Sequence, residues 1–171
     1  MIIKNNNPAF ILIILSLVVV SIFILNNEIS NSYGQAEINK ITDIQPFYTS
    51  INSTFISKEI VSIEPNITKE NWLEYAFISN VGQVINNETF IDEYLLNDKI
   101  IGKGTGVIST NNGSSISYEA DDIGVGNNNG TFTYIGIISF KSANGNELSF
   151  LNNTIGIYEN SNSVRQIWLW K

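Results

Sequence analysis

Three Asn-Gly dipeptides, Asn112-Gly113, Asn129-Gly130 and Asn144-Gly145, each stand between runs rich in β-branched and aromatic residues. Asn-Gly suits the centre of a type I′ turn, because both residues tolerate positive φ, and such turns join antiparallel neighbours. The flanking runs are IIGKGTGVIST (100–110), SISYEADDI (115–123) and TFTYIGIISFK (131–141), followed by ELSFL (147–151), TIGIYE (154–159) and SVRQIWLWK (163–171). Further strands are expected at 55–63, 73–79 and 84–91. Short runs at even spacing predict an all-β antiparallel meander of about eight strands, closed as a small barrel or, alternatively, folded as a β-sandwich. Residues 46–80 are the least legible. There Thr68 to Tyr75 has the pattern of a two-turn helix, with Thr68 as its cap.

Alternation within the runs is incomplete. Phe132, Tyr134, Gly136, Ile138 and Phe140 share one face of their strand, but the other carries Ile135 and Ile137 beside Thr133 and Ser139. In the last strand Val164, Gln166, Trp168 and Trp170 oppose Arg165, Ile167, Leu169 and Lys171, and both faces are again partly apolar. Gly102, Gly104 and Gly106 fall on one face by the period of two, leaving room for sharp curvature or a large ring. Trp168 and Trp170 are the rings expected to cover that stripe.

The chain of 171 residues has no cysteine, so a real hydrophobic core must replace disulfide staples. It also has no histidine, which removes the commonest general base and transition-metal ligand. A net charge of −7 is the reverse of a nucleic-acid-binding footprint. No cofactor is expected. Calcium, held by oxygen alone, is the one metal the composition allows, and Glu119, Asp121, Asp122 and Asn127 to Asn129 are the oxygen-rich stretch, without the order of an EF-hand loop.

An uncharged apolar run at 9–25, interrupted only by Ser16 and Ser21, predicts a signal peptide or membrane anchor. Lys4 precedes it and Glu28 is the first charge after it, so the rest of the chain is expected outside the membrane, secreted or anchored to the outer face. If the run is uncleaved, it makes the membrane a partner. Small residues before Gln35 and after it allow cleavage following Gly34 or Ala36. The expected organisation is therefore a leader at 1–34, a polar linker at 35–45 and a β-domain at 46–171. Sequons at Asn52, Asn66, Asn87, Asn112, Asn129 and Asn152 make a glycoprotein possible in that compartment, although the abundance of asparagine alone produces such triplets.

No constellation names a reaction. GKGTG at 102–106 lacks P-loop and dinucleotide spacing, and no helix follows it. Asp121 and Asp122 are adjacent and point to opposite faces of a strand. Nucleophilic catalysis would need an unusual base such as Lys103 or Lys141, and nothing singles either out. The chain is not expected to be an enzyme.

GKGTGVISTNNG, FTYIGIISF, LSFLNNTIGIYE and the closing WLWK together resemble a group of small extracytoplasmic archaeal β-rich proteins ending in W-x-W-K. The likeness covers about residues 100–171. Leu169 departs from it, standing where the group tends to be acidic. The resemblance implies a location and no activity. The architecture is more distantly similar to calycin and allene-oxide-cyclase-like barrels. Two readings follow. The first is a barrel binding an apolar small molecule, lined by Gly102, Gly104, Gly106, Tyr118, Tyr134, Trp168 and Trp170. The second is a non-enzymatic envelope protein that docks an apolar strand face on another protein. An isomerase- or cyclase-like enzyme is a third.

Overall fold

The structure, a computed structural model, describes residues 45–170. The leader at 1–34, its apolar run and nearly all of the linker lie outside the described residues. Eight strands follow in order: β1 (Tyr48–Ser62), β2 (Ile67–Ile78), β3 (Gly82–Leu95), β4 (Lys99–Thr110), β5 (Ser115–Gly126), β6 (Phe132–Asn144), β7 (Ile155–Ser161) and β8 (Val164–Leu169). Each pairs antiparallel with the next, and β8 returns to β1, closing the barrel. Between barrel and sandwich, the barrel is the fold.

Where the sequence alternates, the burial follows. In β4 every second residue, from Ile100 through Gly102, Gly104 and Gly106 to Ile108, is buried. In β5 the buried set is Ile116, Tyr118, Ala120, Asp122 and Gly124. One end of the lumen is apolar: Tyr48, Ala76, Ile78, Val84, Ile108, Ile116 and Phe140 fill it. A 3₁₀ turn, η1 (Ser149–Leu151), then closes it with Leu148 and Leu151, both fully buried. Each such aliphatic side chain stabilises the fold by about 1.5–3 kcal/mol when taken out of water.

Several local expectations are corrected. Thr68 to Tyr75 is not a helix but the first part of β2, because Thr68, Glu70, Trp72, Glu74, Ala76 and Ile78 alternate inward along a strand. ELSFL at 147–151 is not a strand; its leucines plug the barrel end through η1 instead. The Asn-Gly dipeptides do mark chain reversals, yet only the glycine has positive φ in each, as at Gly113 (86°) and Gly130 (79°). Consecutive positive φ values occur at Asn97-Asp98, between β3 and β4, and at Asn162-Ser163, between β7 and β8. The second is a two-residue loop between the paired Ser161 and Val164, the turn whose twist matches its two flanking strands.

The tryptophan expectation also fails in part. Arg165 and Ile167 face inward on β8, so Trp168 falls on the opposite face; it is nevertheless only 6% exposed, whereas Trp170 is 53% exposed. Neither covers the glycine stripe. A Cβ added at Gly104 would meet the Phe90 ring, and one added at Gly106 would meet Tyr118. Replacing Trp170 by alanine is accordingly expected to move the denaturant midpoint by no more than the equivalent of about 0.5 kcal/mol, as at ordinary surface positions. A large loss in a urea melt would contradict this placement.

Candidate functional site

Because residues directly opposite on paired strands share a face, the pairing of successive strands assembles rows that no single strand contains. One row runs Trp72, Glu88, Gly106, Tyr118, Phe140 across β2 to β6. Another runs Thr68, Asp92, Gly102, Asp122, Gly136, Tyr158 across β2 to β7. Both rows face the lumen, and both are polar.

At the centre Arg165, only 8% exposed, pairs through Nη1 with Glu88 and, at 3.3 Å, with Glu74. Tyr48 donates its hydroxyl to Glu74 Oε2 at 2.5 Å, and Tyr118 donates to Glu88 Oε2 at 2.7 Å. Asn86 Nδ2 donates to Glu88 at 2.9 Å and lies 3.1 Å from the Tyr118 hydroxyl. The guanidinium stacks between Phe90 and Tyr158, at 5.7 and 5.6 Å from the ring centres. Tyr158 in turn donates its hydroxyl to Asp122 Oδ2. Cation–π stacking and charge-assisted bonds of this kind hold side chains in one arrangement.

The charges do not balance. Among the described residues, four carboxylates are buried, Glu74, Glu88, Asp92 and Asp122, against the single buried cation Arg165. Burial opposes the charge of Arg165, but Glu88 and Glu74 outweigh it and hold the guanidinium's pKa above its usual value. Glu74 is pushed up by burial, partly offset by Arg165 and reinforced by Glu88. Asp92 is raised to about 7 by burial and by the negative charges of Asp122 and Glu70, with Lys58 acting in the other direction. Burial also raises Asp122, against the lowering effects of the Tyr158 hydrogen bond, Arg165 and the Gly102 backbone. Burial and adjacent carboxylates lift Tyr48, Tyr118 and Tyr158, which therefore stay protonated as donors.

An acid whose folded pKa lies above its unfolded value of about 3.9 stabilises the fold at low pH. For Asp92 that contribution is complete below pH ~4 and is lost as pH rises through about 7. Asp92→Asn is expected to raise the urea midpoint at pH 8 well above that of the parent chain, and to change it little at pH 4. Equal effects at both pH values would exclude the assigned environment.

Beyond the central network, toward the β1–β2 and β3–β4 turns, the lumen is lined by charged and aromatic side chains. There Lys58 bonds Glu70 Oε1 at 2.8 Å and the Tyr94 hydroxyl at 3.1 Å, and Trp72 Nε1 lies 3.3 Å from Glu70. Backbone pairing joins β1 to β8 at only two residue pairs, Tyr48 with Ile167 and Thr49 with Gln166. Past that point the strands part around a cleft of about 390 Å³, lined in part by Asn52, Ser53, Trp72, Asn162 and Ser163.

Of the residues expected to line a ligand site, Gly102, Gly104, Gly106 and Tyr118 are buried in the lumen wall and Tyr134 is half-buried, facing Gly124. Trp168 and Trp170 are outside this group. All six sequon asparagines are exposed, at Asn52, Asn66, Asn87, Asn112, Asn129 and Asn152. The oxygen-rich 119–130 stretch does not converge. Asp121 is exposed and Asp122 buried, while Asn127 and Asn129 bond Thr131 within their turn. Lys141 is taken by Glu119 on the outer surface, at 2.8 Å. Glu74, Asn86, Glu88, Asp92 and Arg165 are functional candidates that pattern reasoning missed. The signal for them was the alternation Asn86, Glu88, Phe90, Asp92 along β3.

Comparison with known proteins adds only a fold. No family model matches the chain, and no curated protein matches it. A crystal structure of a protein of unknown function from Clostridium acetobutylicum superposes with a TM-score of 0.54 at 8% identity, covering 74% of this chain and 98% of the other. A conserved protein of unknown function from Rhodopseudomonas palustris gives a TM-score of 0.51 at 10% identity, covering 73% of this chain and 92% of the other. Likeness at these identities shows a shared β-barrel fold.

Proposed function

We propose that this protein is an extracytoplasmic, calycin-like barrel that binds a polar small molecule at the acidic end of its lumen. The observation that carries this reading is the buried charge imbalance, four carboxylates against one arginine. Folding alone does not reward such an arrangement, since burying unpaired charge costs several kcal/mol per ion, whereas binding sites retain it. The expected apolar ligand finds less support, because the apolar end is filled by the protein's own side chains and plugged by Leu148 and Leu151. The cleft at the β1–β8 seam, of a size typical for small ligands, supplies an approach. Location outside the membrane rests on the apolar run 9–25 and its flanking charges, and use of the exposed sequons would follow from it.

Native mass spectrometry of the full chain, purified from its own membranes and secreted fraction, tests the reading. A reproducible polar adduct is expected. Retention of hydrocarbon or lipid alone, or of nothing, would overturn it. For topology, a tag placed after Lys171 is expected to be removed by external protease on intact cells; protection until lysis would refute the orientation.

A second reading, an envelope interaction protein, is favoured by the outer wall. Ile101, Ile123 and Ile135 lie directly opposite one another on β4, β5 and β6 and are 44, 56 and 44% exposed. Contiguous exposed apolar surface marks contact sites. Ile123→Glu separates the two readings, since it would abolish docking there and leave ligand capture intact.

A further inference from the structure

We propose that Asp92, Asp122 and Thr68 form a binding locus for the ammonium group of a small organic cation. The proposal rests on the ligand-binding reading above and names the ligand's chemistry. Thr68 and Asp92 are directly opposite on β2 and β3, and Gly102 separates Asp92 from Asp122 in the same lumen-facing row. A Cβ on Gly102 would lie 2.2 Å from Asp122 Oδ1 and 2.9 Å from Asp92 Oδ1, so the two carboxylates converge on one point of the wall. The absence of a side chain there is what lets them do so.

Two of the three side chains carry unspent acceptors. Thr68, 3% exposed, has an Oγ1 without a partner. Asp122, 7% exposed, has its Oδ2 taken by Tyr158, while Oδ1 has no partner of hydrogen-bonding geometry, although the Gly102 backbone is near enough to favour its charge. Such atoms are rare in a folded interior and destabilise it when left so. An ammonium offers three donors and one positive charge. It would satisfy Asp92, Asp122 and Thr68 together and reduce the excess of buried negative charge. A divalent metal fits less well. Calcium takes six to eight oxygens, and no group of three or more acidic or metal-ligating side chains converges among the described residues.

The groups facing Asp92 from the surrounding strands are Lys58 on β1, Glu70 on β2, Asp122 on β5 and Tyr134 on β6, with Tyr158 and Arg165 bearing on Asp122. With Asp92 titrating near 7, an arriving ammonium displaces a proton in part of the molecules.

Calorimetry on the full chain at pH 7 tests this, with methylammonium and 1,4-diaminobutane as probes and 1,4-butanediol and calcium chloride in parallel. Binding of the ammonium probes with net proton release is expected, read from two buffers of different ionisation enthalpy. Asp92→Asn and Asp122→Asn are each expected to weaken it about tenfold or more, and Glu119→Gln, on the exposed outer surface, to leave it unchanged. Asp92→Asn is expected to fold with undiminished stability, so its loss of binding would not be unfolding. No ammonium binding, binding indifferent to both aspartate variants, or binding of calcium instead would each overturn the inference. If the ammonium probes fail while a neutral polar adduct survives in native spectra, only this inference falls; if no polar ligand is found by either route, the ligand-binding reading falls with it.

Discussion

Arg165→Ala is expected to lower stability by about 3–5 kcal/mol at pH 7, the usual consequence of removing one partner from a buried charge network. Glu74 and Glu88 would lose the buried cation that pairs with them, while Phe90 and Tyr158 would lose the guanidinium beside their rings. The deficit should depend on pH. Without Arg165, Glu74, which burial and Glu88 already push up, would hold its proton to still higher pH in the folded state. An acid of raised pKa stabilises the fold at low pH and loses that contribution as pH rises. The variant should therefore lie closer to the parent chain at pH 4 than at pH 8 in urea melts. A loss that is the same at both would mean that packing, not charge, explains it. Replacing Arg165 by Met together with Glu74 and Glu88 by Gln is expected to recover much of the deficit, since that combination leaves no buried charge unpaired.

Gly106→Val is the second large effect. A Cβ at this position would stand 2.4 Å from the Cζ and hydroxyl oxygen of Tyr118. The ring has little freedom to retreat: its hydroxyl donates to Glu88 and meets Asn86, and its edge packs on Phe140 with centroids 6.1 Å apart. Overpacking costs about 1–3 kcal/mol, and loss of the buried hydroxyl's bonds about 1–3 more. A total of about 2–6 kcal/mol is expected in denaturant melts. Thr105→Val, one residue away on the exposed outer face, should stay within about 0.5 kcal/mol. Similar losses in both would show that the glycine stripe is set by strand conformation and not by the side chains lying across it.

Much of the barrel wall is legible in the sequence. Residues 100–141 read as strands because β-branched runs alternate between turn residues, and β4, β5 and β6 occupy nearly those bounds. The glycine stripe was also legible as a place where rings pack, but the rings were misassigned. A closing meander can bring the last strand near the earlier ones, which suggested Trp168 and Trp170, whereas Phe90 on the neighbouring β3 and Tyr118 on β5 reach it. The first part of β2 was illegible for a different reason. Pattern reading takes the apolar face of a strand as its inner face. In β2 and β3 the inward positions include Glu70, Glu74, Asn86, Glu88 and Asp92, while Tyr75, Phe77, Ile85 and Ile91 face outward. With polar residues inside and apolar ones outside, the alternation carries the wrong sign, and a helix looked no worse than a strand.

Local chemistry in the sequence by itself determined that this chain alternates, turns where asparagine and glycine permit, and forms its core without cysteine. Those are properties of neighbouring residues, set by φ preferences and side-chain shape. Only the tertiary structure decided that the meander closes, and closure is what places Arg165 from β8 between Glu74 of β2 and Glu88 of β3. The registers of the consecutive pairs from β2 to β5 align Thr68, Asp92 and Asp122 across one row. Their meeting depends on strand register around a ring, a long-range quantity that no window of sequence contains, and the charge imbalance it creates exists only once those side chains share a space from which water is largely excluded.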